Sequence, residues 1–246
     1  MTNSEPRILF IDIETAPTLA WVWDLWNTNA IAVEEDWYLL CFAYKWRHYD
    51  QVEWFRKQAN KGKDRELVKA AHELLDSADI VVAHNGDKFD IKRLNARFLK
   101  YGLGPVSPFV SIDTLKEARK HFKLDSNRLN EIARYLEIGE KAPNMGFHTW
   151  RGCMNNDPEA WAIMREYNIK DIELLEEVYE RLQPYMSAPH FNMQQWTGTY
   201  TCTQCGHDKV QQRGSYRTKA GVYKAYQCKR CGKYSRALLS DDGRLR

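Results

Sequence analysis

The sequence predicts a mixed α/β sheet flanked by helices, followed by a small β-rich region near the carboxyl end. Three apolar, strand-like segments come first, and strands then alternate with helices, which is typical of a mixed sheet. Hydrophobic residues make up 43% and charged residues 28% of the 246 residues, as in globular proteins that fill a core. Four of the six cysteines lie beyond residue 200 as two close pairs, which indicates a separate metal-bound unit.

The first half of the chain contains the predicted three-strand group. Residues 7–14 form an apolar, β-branched run, and residues 38–46 and 51–55 form two further runs joined by a short polar turn. We therefore expect a buried strand followed by a hairpin. Residues 64–76 carry apolar side chains at helical spacing, and residues 79–84 form another buried strand.

The second half of the chain continues the alternation of helices and strands. Residues 88–101 have a helical pattern, and residues 109–113 predict a fourth core strand. A short helix opens on the capping box Thr114-x-x-Glu117, and residues 126–138 predict a further helix.

The strongest helix signal begins at Asp157, which suits the N-cap position, with Pro158 in the first turn. Its apolar pattern continues to Leu182, and the residues that follow have no periodicity. The predicted domains are a body of residues 1–187, a linker of residues 188–199 and a tail of residues 200–246.

Charge is distributed unevenly along the chain. Residues 199–246 contain 11 basic and 3 acidic residues, a net charge of +8, whereas the remaining residues carry 25 basic and 30 acidic ones, a net charge of −5. A basic segment attached to an acidic body indicates an appendage that contacts nucleic acid.

The chain contains no segment typical of a membrane span or of a secretion signal. The longest uncharged, largely apolar stretch, residues 37–44, is far shorter than the roughly 18 residues that a spanning helix needs. The first seven residues contain no apolar core of a signal peptide. We therefore expect an intracellular, cytoplasmic protein with no membrane partner.

Two carboxylates lie near the carboxyl end of the first predicted strand. Asp12 and Glu14 are two residues apart, and on a strand such residues point to the same side. Adjacent carboxylates repel one another unless a cation lies between them, and Mg²⁺ or Mn²⁺ is a hard divalent ion suited to oxygen ligands. The pair indicates a metal site, with a solvated strand end as the alternative.

Further acids follow at two places in the chain. Asp90 lies in the first turn of a helix that begins after a buried strand, although Asp87 is a rival that spacing alone does not exclude. Acids at a helix start also act as caps, which is the alternative at this position. Tyr167 and Asp171 are four residues apart on the long helix and so share one face, either as site residues or as an amphipathic boundary.

Together, the segments Asp12-Ile-Glu14-Thr15, Asn85-x-x-x-Phe89-Asp90 and Tyr167-x-x-x-Asp171 resemble the three motifs of the DEDD superfamily of 3′→5′ exonucleases. The tyrosine spacing is similar to that of the tyrosine subtype, since the histidine subtype has His where this chain has Glu166. The middle motif and residues 123–136 resemble the proofreading exonuclease domains of family-B DNA polymerases. The resemblance covers about residues 7–183 and implies a ribonuclease H-like fold.

The resemblance also implies a reaction, namely hydrolysis of phosphodiester bonds by two Mg²⁺ or Mn²⁺ ions at the 3′ end of single-stranded or frayed DNA. Carried over to this chain, Asp12 would bridge both ions, Glu14 and Asp171 would complete the site of the nucleophilic water, and Asp90 would serve the second ion. Tyr167 would orient the water. RNA is an alternative substrate, and a structure-selective endonuclease or a non-catalytic DNA-binding recruiting protein is an alternative function.

Three further residues are candidates for substrate contact. Thr15 and Asn85 belong to the motifs and are expected to contact the substrate backbone. Trp21 opens a tryptophan-rich segment that either stacks on a terminal base or packs in the core or in a hairpin. This segment, residues 21–26, also resembles stand-alone phage enzymes. Because no polymerase segment follows, we expect a free-standing exonuclease in DNA replication or repair, with a polymerase or replication protein as a candidate partner.

The cysteine pairs Cys202-x-x-Cys205 and Cys228-x-x-Cys231 predict one structural Zn²⁺ site. A pair of redox dithiols is the alternative. The tail resembles zinc ribbons, especially those at the N-termini of insertion-element transposases. Between the pairs, aromatic and basic residues alternate and predict a surface for DNA phosphates and bases, with a solvated hairpin or a protein partner as the alternatives. These residues are Tyr216, Arg217, Tyr223 and Lys224.

Overall fold

The computed structural model describes residues 5–57, 64–186, 193, 201–219 and 221–236. The strands of its main part are β1 (Ile8–Thr15), β2 (Leu19–Trp21), β3 (Ala32–Glu35), β4 (Leu39–Trp46), β5 (Glu53–Arg56), β6 (Ile80–Ala83) and β7 (Val110–Asp113). The helices are α1 (Arg65–Asp76), α2 (Asp90–Tyr101), α3 (Thr114–His121), α4 (Leu129–Tyr135), α5 (Phe147–Met154) and α6 (Pro158–Leu182). The predicted mixed α/β fold class is confirmed.

The central sheet has the strand order β5-β4-β1-β6-β7. Its middle strand, β1, pairs antiparallel with β4 and parallel with β6, which in turn pairs parallel with β7. Helices cover both faces, which explains why β1 is apolar at consecutive positions rather than at alternating ones.

Alternation along β1 decides which helices each side chain meets. Ile8 and Phe10 pack into the core under α3, α4 and α6, whereas Leu9 and Ile11 pack against α1 and α2. Because side chains two residues apart share a face, the next even position, Asp12, points to the α6 side. The strand thus carries its first carboxylate towards the helix that holds the third motif.

A buried polar cluster fixes the other face of the sheet. The carboxylate of Asp64 accepts hydrogen bonds from Arg97, from Tyr101 and from the backbone N–H of Leu39. Asp64 and Arg97 are 1% and 2% exposed, so removing one partner would leave a buried charge unpaired. The cluster ties α1 and α2 to the start of β4.

Two predicted helix starts differ from the structure. The cap of α3 is Asp113, whose carboxylate accepts from the N–H groups of Leu115 and Lys116, so the assignment of Thr114 was wrong by one position. Thr114 instead donates its hydroxyl to the carbonyl oxygen of Ala83. The helix predicted over residues 126–138 spans only Leu129–Tyr135, because Arg128 is extended at the start.

Two elements have no counterpart among the predictions. The hairpin of β2 and β3 is exposed along most of its length, so its sequence has no apolar alternation to mark it. Helix α5 falls in a segment rich in Pro, Asn and Gly, which indicated a loop. Helix α5 reaches the site described below, because its Trp150 contacts Glu14.

The C-terminal part forms a three-stranded antiparallel sheet of β8 (Val210–Thr218), β9 (Gly221–Cys228) and β10 (Tyr234–Arg236), in the order β10-β9-β8. We call residues 201–219 and 221–236 the cysteine sheet. It contacts the end of α6, where Gln183 Nε2 donates to the carbonyl oxygen of Gln204 at 3.2 Å. Lys233 Nζ donates to the carbonyl oxygen of Met186 at 2.5 Å. The predicted linker lies outside the described residues, apart from Met193.

Candidate active site

Four carboxylates from three elements converge at the carboxyl end of β1. Asp12 and Glu14 come from β1, and Asp171 comes from the middle of α6. Asp90, the first residue of α2, accepts a hydrogen bond at 3.1 Å from the backbone N–H of Ile13, between the two strand acids. The folded chain therefore brings together the four acids that the three sequence motifs supply.

Burial and mutual repulsion disturb the acid–base properties of this carboxylate centre. Burial, followed by the charges of Asp171, Glu14 and Asp90, raises the pKa of Asp12 well above its usual value. Burial and the charge of Asp171 raise the pKa of Glu14 to about 8. Burial also raises the pKa of Asp90 to about 7, against the hydrogen bond from Ile13. The protein alone thus disfavours four ionised groups here.

Asp90 and Asp87 have different surroundings. Asp90 is 3% exposed and contacts β1 beside the other acids. Asp87 accepts from Lys116 Nζ at 2.5 Å and from the hydroxyl of Ser111, which draws its carboxylate towards β7 and α3. This geometry favours Asp90 over Asp87 as the fourth acid of the centre.

Lys141 is a residue of this site that the sequence motifs did not reveal. Its ammonium group donates to Asp171 Oδ2 at 2.5 Å and to the hydroxyl of Tyr167 at 3.0 Å. Burial disfavours the ammonium charge, but the attraction of Asp171 outweighs it and the pKa of Lys141 is raised. Lys141 lies in a segment without helical or strand periodicity, so only the fold brings it to the carboxylates.

Trp150, on α5, closes another side of the site. Its indole N–H donates to Glu14 Oε2 at 3.1 Å, and its ring packs edge-on against that of Tyr167, with centroids 6.0 Å apart. Burial and the charge of Asp171 raise the pKa of Tyr167 to about 12, so its hydroxyl stays protonated at neutral pH. The two aromatic rings therefore fix the Tyr167 hydroxyl beside Glu14 and Asp171.

The donor set of this centre fits divalent cations. Oδ1 of Asp171 is buried and has no hydrogen-bond partner among the described residues. Lys141 supplies one positive charge against four acids, which leaves most of the negative charge uncompensated. Hard cations such as Mg²⁺ or Mn²⁺ take carboxylate oxygens, so these four acids would hold such ions, which would supply Lewis-acid chemistry there.

An open groove of about 750 Å³ has Lys141, which contacts Asp171, among its lining residues. Asn85 lines it in a left-handed conformation, with φ of 64°, and its backbone N–H donates to Asp113 at 2.9 Å. The charged residues that line the groove are the cations Arg119, Arg128 and Lys141 and the acids Asp125 and Glu131. The groove therefore offers cationic and amide groups next to the acids.

The remaining substrate candidates differ in exposure. Thr15 is half-buried at a bulge between β1 and β4. Trp21 is 63% exposed at the end of β2, which excludes the core-packing alternative. On the cysteine sheet, Arg217 and Lys224 are exposed and Tyr216 is 50% exposed.

Tyr223 does not meet its prediction as a nucleic-acid contact. Its side chain is only 2% exposed and lies on the same face of β9 as that of the buried Ala225. Arg236 lies over its ring at 4.9 Å from the centroid. Residues on a strand alternate between faces, so the neighbouring Lys224 is exposed while Tyr223 is not.

The four cysteines of the C-terminal pairs form one compact cluster. Their sulfur atoms all lie within 4.8 Å of one another, and the Cys202–Cys231 and Cys205–Cys228 Sγ distances are both 3.6 Å. A tetrahedral Zn²⁺ with bonds of about 2.3 Å places its sulfur ligands about 3.8 Å apart. The cluster therefore fits one zinc ion.

Similarities to known proteins agree with this fold. Residues 9–183 match the model of a family described as the RNase_H superfamily, and the match covers most of the chain. The protein therefore belongs to the RNase H superfamily. Nucleases of this kind commonly use divalent metal ions, which agrees with the carboxylate centre.

Two polymerases are similar to parts of this chain. A stretch of 59 residues, 24% of this chain and 4% of the relative, is 46% identical to the DNA polymerase III PolC-type of Ureaplasma parvum serovar 3 (strain ATCC 700970). The family B DNA polymerase from the hyperthermophilic archaeon Pyrobaculum calidifontis shares the fold with a TM-score of 0.52 and 16% identity. That match covers 90% of this chain and 32% of the polymerase, so this chain corresponds to a minor part of both proteins.

No helix among the described residues is both long and apolar enough to cross a membrane.

Proposed function

We propose that this protein is a metal-dependent 3′→5′ exonuclease of the DEDD type, tyrosine subtype, acting on single-stranded or frayed DNA. The observation that carries the proposal is the convergence of Asp12, Glu14, Asp90 and Asp171 with the hydroxyl of Tyr167. Superfamily membership and the similarity to polymerases support a nuclease, and the motif order supports this subtype.

The four carboxylates would hold two Mg²⁺ or Mn²⁺ ions. When bound, such ions activate a water molecule and stabilise charge on the attacking and leaving oxygens of the phosphodiester. Tyr167, held as a neutral phenol, would donate or accept a hydrogen bond to orient that water. Lys141 would hold Tyr167 and Asp171 together, since it contacts both.

The groove at Lys141 supports a single strand as the substrate. Its three cations outnumber its two acids, and a positively charged groove that follows the backbone is typical of proteins that bind single strands. Arg119 and Arg128 would neutralise phosphates, and Asn85 and Thr15 would contact the backbone near the cut. Trp21 lies seven residues after Glu14 and exposes its ring, so it would stack on a base close to the 3′ end.

The cysteine sheet is proposed to be a zinc ribbon that binds nucleic acid. Its four sulfurs fit one Zn²⁺, and Tyr216, Arg217 and Lys224 present a ring and two cations to solvent. Phosphate neutralisation by these cations would add affinity that falls as salt rises. The ribbon would hold the strand that the body shortens.

A cleavage assay on oligonucleotides tests the proposed activity. We expect a 5′-labelled single strand of DNA to give a stepwise ladder of shorter products with Mg²⁺ or Mn²⁺, and none with excess EDTA. The same oligonucleotide in RNA gives the preference for DNA. A single internal band would indicate an endonuclease, and intact DNA under all metal conditions would refute the proposal.

Charge reversal on the cysteine sheet tests its role in binding. We expect Arg217→Glu/Lys224→Glu to weaken binding of single-stranded DNA and to reduce the slope of log Kd against log salt by about 1.4 for two lost phosphate contacts. Fluorescence anisotropy across a salt series measures both effects. Cleavage of a short oligonucleotide at saturating concentration should continue.

A matched control separates this contact from the effect of net charge. Lys69→Glu/Lys100→Glu makes the same change in charge on α1 and α2. These helices cover the face of the central sheet opposite to the face that α6 covers. An equal loss of affinity in both double variants would mean that Arg217 and Lys224 make no specific contact.

A further inference from the structure

One buried side chain links the carboxylate centre to the core of α6. Asn168, which follows Tyr167, is 0% exposed and lies on the inner side of the helix. Burying an amide costs free energy unless its polar atoms are hydrogen-bonded. An apolar residue is the ordinary choice at such a position, so the contacts of Asn168 need an explanation.

Both donor contacts of Asn168 go to the same residue. Its Nδ2 donates to Asp12 Oδ2 at 2.6 Å and to the backbone carbonyl oxygen of Asp12 at 3.3 Å. Two bonds from one amide group to the side chain and the main chain of one aspartate restrict rotation of that side chain. The carboxylate is then held with Oδ2 towards the amide and Oδ1 left for another partner.

The orientation of the amide is set from its other end. Cys41, on β4 opposite Glu14, donates its thiol hydrogen to Asn168 Oδ1, with 3.8 Å between sulfur and oxygen. A flipped amide would place Oδ1 against two acceptor oxygens of Asp12 and would turn Nδ2 towards a donor. The Cys41 thiol therefore favours the orientation in which both amide hydrogens point at Asp12.

We propose that Asn168 is a positioning residue that locks the carboxylate of Asp12 for metal binding, with the Cys41 thiol fixing the direction of its amide. The role rests on the proposed metal-dependent function. Groups that hydrogen-bond to metal ligands fix ligand orientation, and their loss typically weakens metal affinity or activity by 10–100-fold. Asn168 would act through Asp12 and would not touch the substrate.

Metal titration of variants tests this role directly. We expect Asn168→Ala and Asn168→Asp to bind Mn²⁺ about 10–100-fold more weakly than the unmodified protein, measured by calorimetry on the zinc-loaded full chain. Asn168→Asp keeps the size of the side chain but loses the donors and adds a charge. Cleavage by both variants should recover in part at high Mn²⁺, with the KM for the oligonucleotide little changed.

Two control variants separate positioning from packing. Met164→Ala removes a fully buried side chain one turn earlier on α6, so it should lower the melting temperature while leaving the Mn²⁺ affinity unchanged. Cys41→Ser keeps a hydrogen-bond donor at Asn168 Oδ1 and should keep the Mn²⁺ affinity, whereas Cys41→Ala should weaken it.

The outcomes distinguish this role from the proposed activity. Unchanged Mn²⁺ affinity in folded Asn168→Ala, or absence of Mn²⁺ binding by the unmodified protein, would overturn the positioning role. If Mn²⁺ binding depends on Asn168 but DNA is not shortened, the positioning role stands and the exonuclease proposal fails.

Discussion

Replacing Asp12 by Asn is expected to abolish cleavage and at the same time to make the metal-free protein more stable. The pKa of Asp12 is raised by burial and by the charges of all three other acids, so its replacement removes the carboxylate that interacts with each of them. We expect the rate to fall by at least about 10³-fold, which corresponds to about 4 kcal/mol of transition-state stabilisation. Single-turnover cleavage of a labelled oligonucleotide measures the loss.

The gain in stability follows from the raised pKa values of the acids. Burial and mutual repulsion raise the pKa of Asp12 well above its usual value and that of Glu14 to about 8. The folded state therefore holds protons that the unfolded state has released. The contribution of these protonated acids to the free energy of unfolding is fully present below the usual carboxyl pKa near 4. This contribution is lost as the pH rises from about 4 to about 8.

Thermal unfolding at two pH values checks whether Asp12→Asn raises or lowers the stability. At pH 8 without added Mg²⁺ or Mn²⁺, Asp12→Asn should raise the free energy of unfolding by at least about 1 kcal/mol, or about 2–4 °C in Tm. At pH 5 the gain should be smaller, since the unmodified protein then retains more protons at these acids. Added Mn²⁺ should raise the Tm of the unmodified protein at pH 8 and have little effect on the variant.

Asp50→Asn is the matched control, because it makes the same chemical change at an exposed position in the turn between β4 and β5. It should change neither the cleavage rate nor the Tm by a measurable amount. An Asp12→Asn protein that keeps most of its activity would overturn the assignment of the carboxylate centre. A variant that is inactive but less stable at pH 8 would contradict the repulsion described above.

Replacing Cys228 by Ser is expected to release zinc and to unfold the cysteine sheet. This sheet has a small buried core, made of Cys202, Cys205 and Cys228 with Val210 and Cys231 packed against them. Structural zinc contributes about 10–16 kcal/mol of apparent binding free energy in small zinc-dependent domains, so loss of a ligand removes the main source of stability. The zinc content measured by metal analysis should fall from one ion per chain towards none.

Limited proteolysis should then cut the variant within residues 201–236 while the body remains resistant. Because Lys233 and Gln204 contact Met186 and Gln183 at the end of α6, a small decrease in the Tm of the body is also expected. Cys153→Ala is the control, since Cys153 packs against residues of α6 and is not one of the four clustered cysteines. This variant should keep one zinc per chain. A Cys228→Ser protein with one tightly bound zinc and an intact cysteine sheet would refute the assignment.

The sequence was sufficient for features that depend on local pattern. The buried strands of the central sheet were predicted to within two residues at each end, because apolar runs bounded by turns mark them. The start of α6 was also predicted from the residue types of Asp157 and Pro158. In the structure Asp157 accepts a hydrogen bond from the backbone N–H of Glu159, and Pro158 occupies the first turn. The pairing of cysteines was visible as spacing alone, and the structure brings their sulfurs together.

Exposure was not predictable from the same patterns. Tyr223 and Lys224 belong to one alternating segment, and the direction of the strand decides that the ring is buried and the cation exposed. Trp21 is exposed although its ring is apolar, because β2 pairs with β3 in a separate two-stranded sheet whose positions are mostly exposed. In both cases the choice depends on what packs against the element.

The features that the sequence predicted differ from those it missed in the distance along the chain between interacting residues. Spacing alone did not choose Asp90 over Asp87, and only the resemblance of its motif favoured Asp90. The other three acids and Tyr167 were identifiable as candidates because strand geometry pairs Asp12 with Glu14 and helix geometry pairs Tyr167 with Asp171. Lys141, Trp150 and Asn168 were not, because each takes its role from a partner 26 to 156 residues away. Such contacts form only when the sheet and α6 pack together, and a lysine, a tryptophan or an asparagine has no local pattern that announces its partner. The sequence motifs therefore identified the candidate acids, and tertiary packing decided which neutral and basic groups hold them in place.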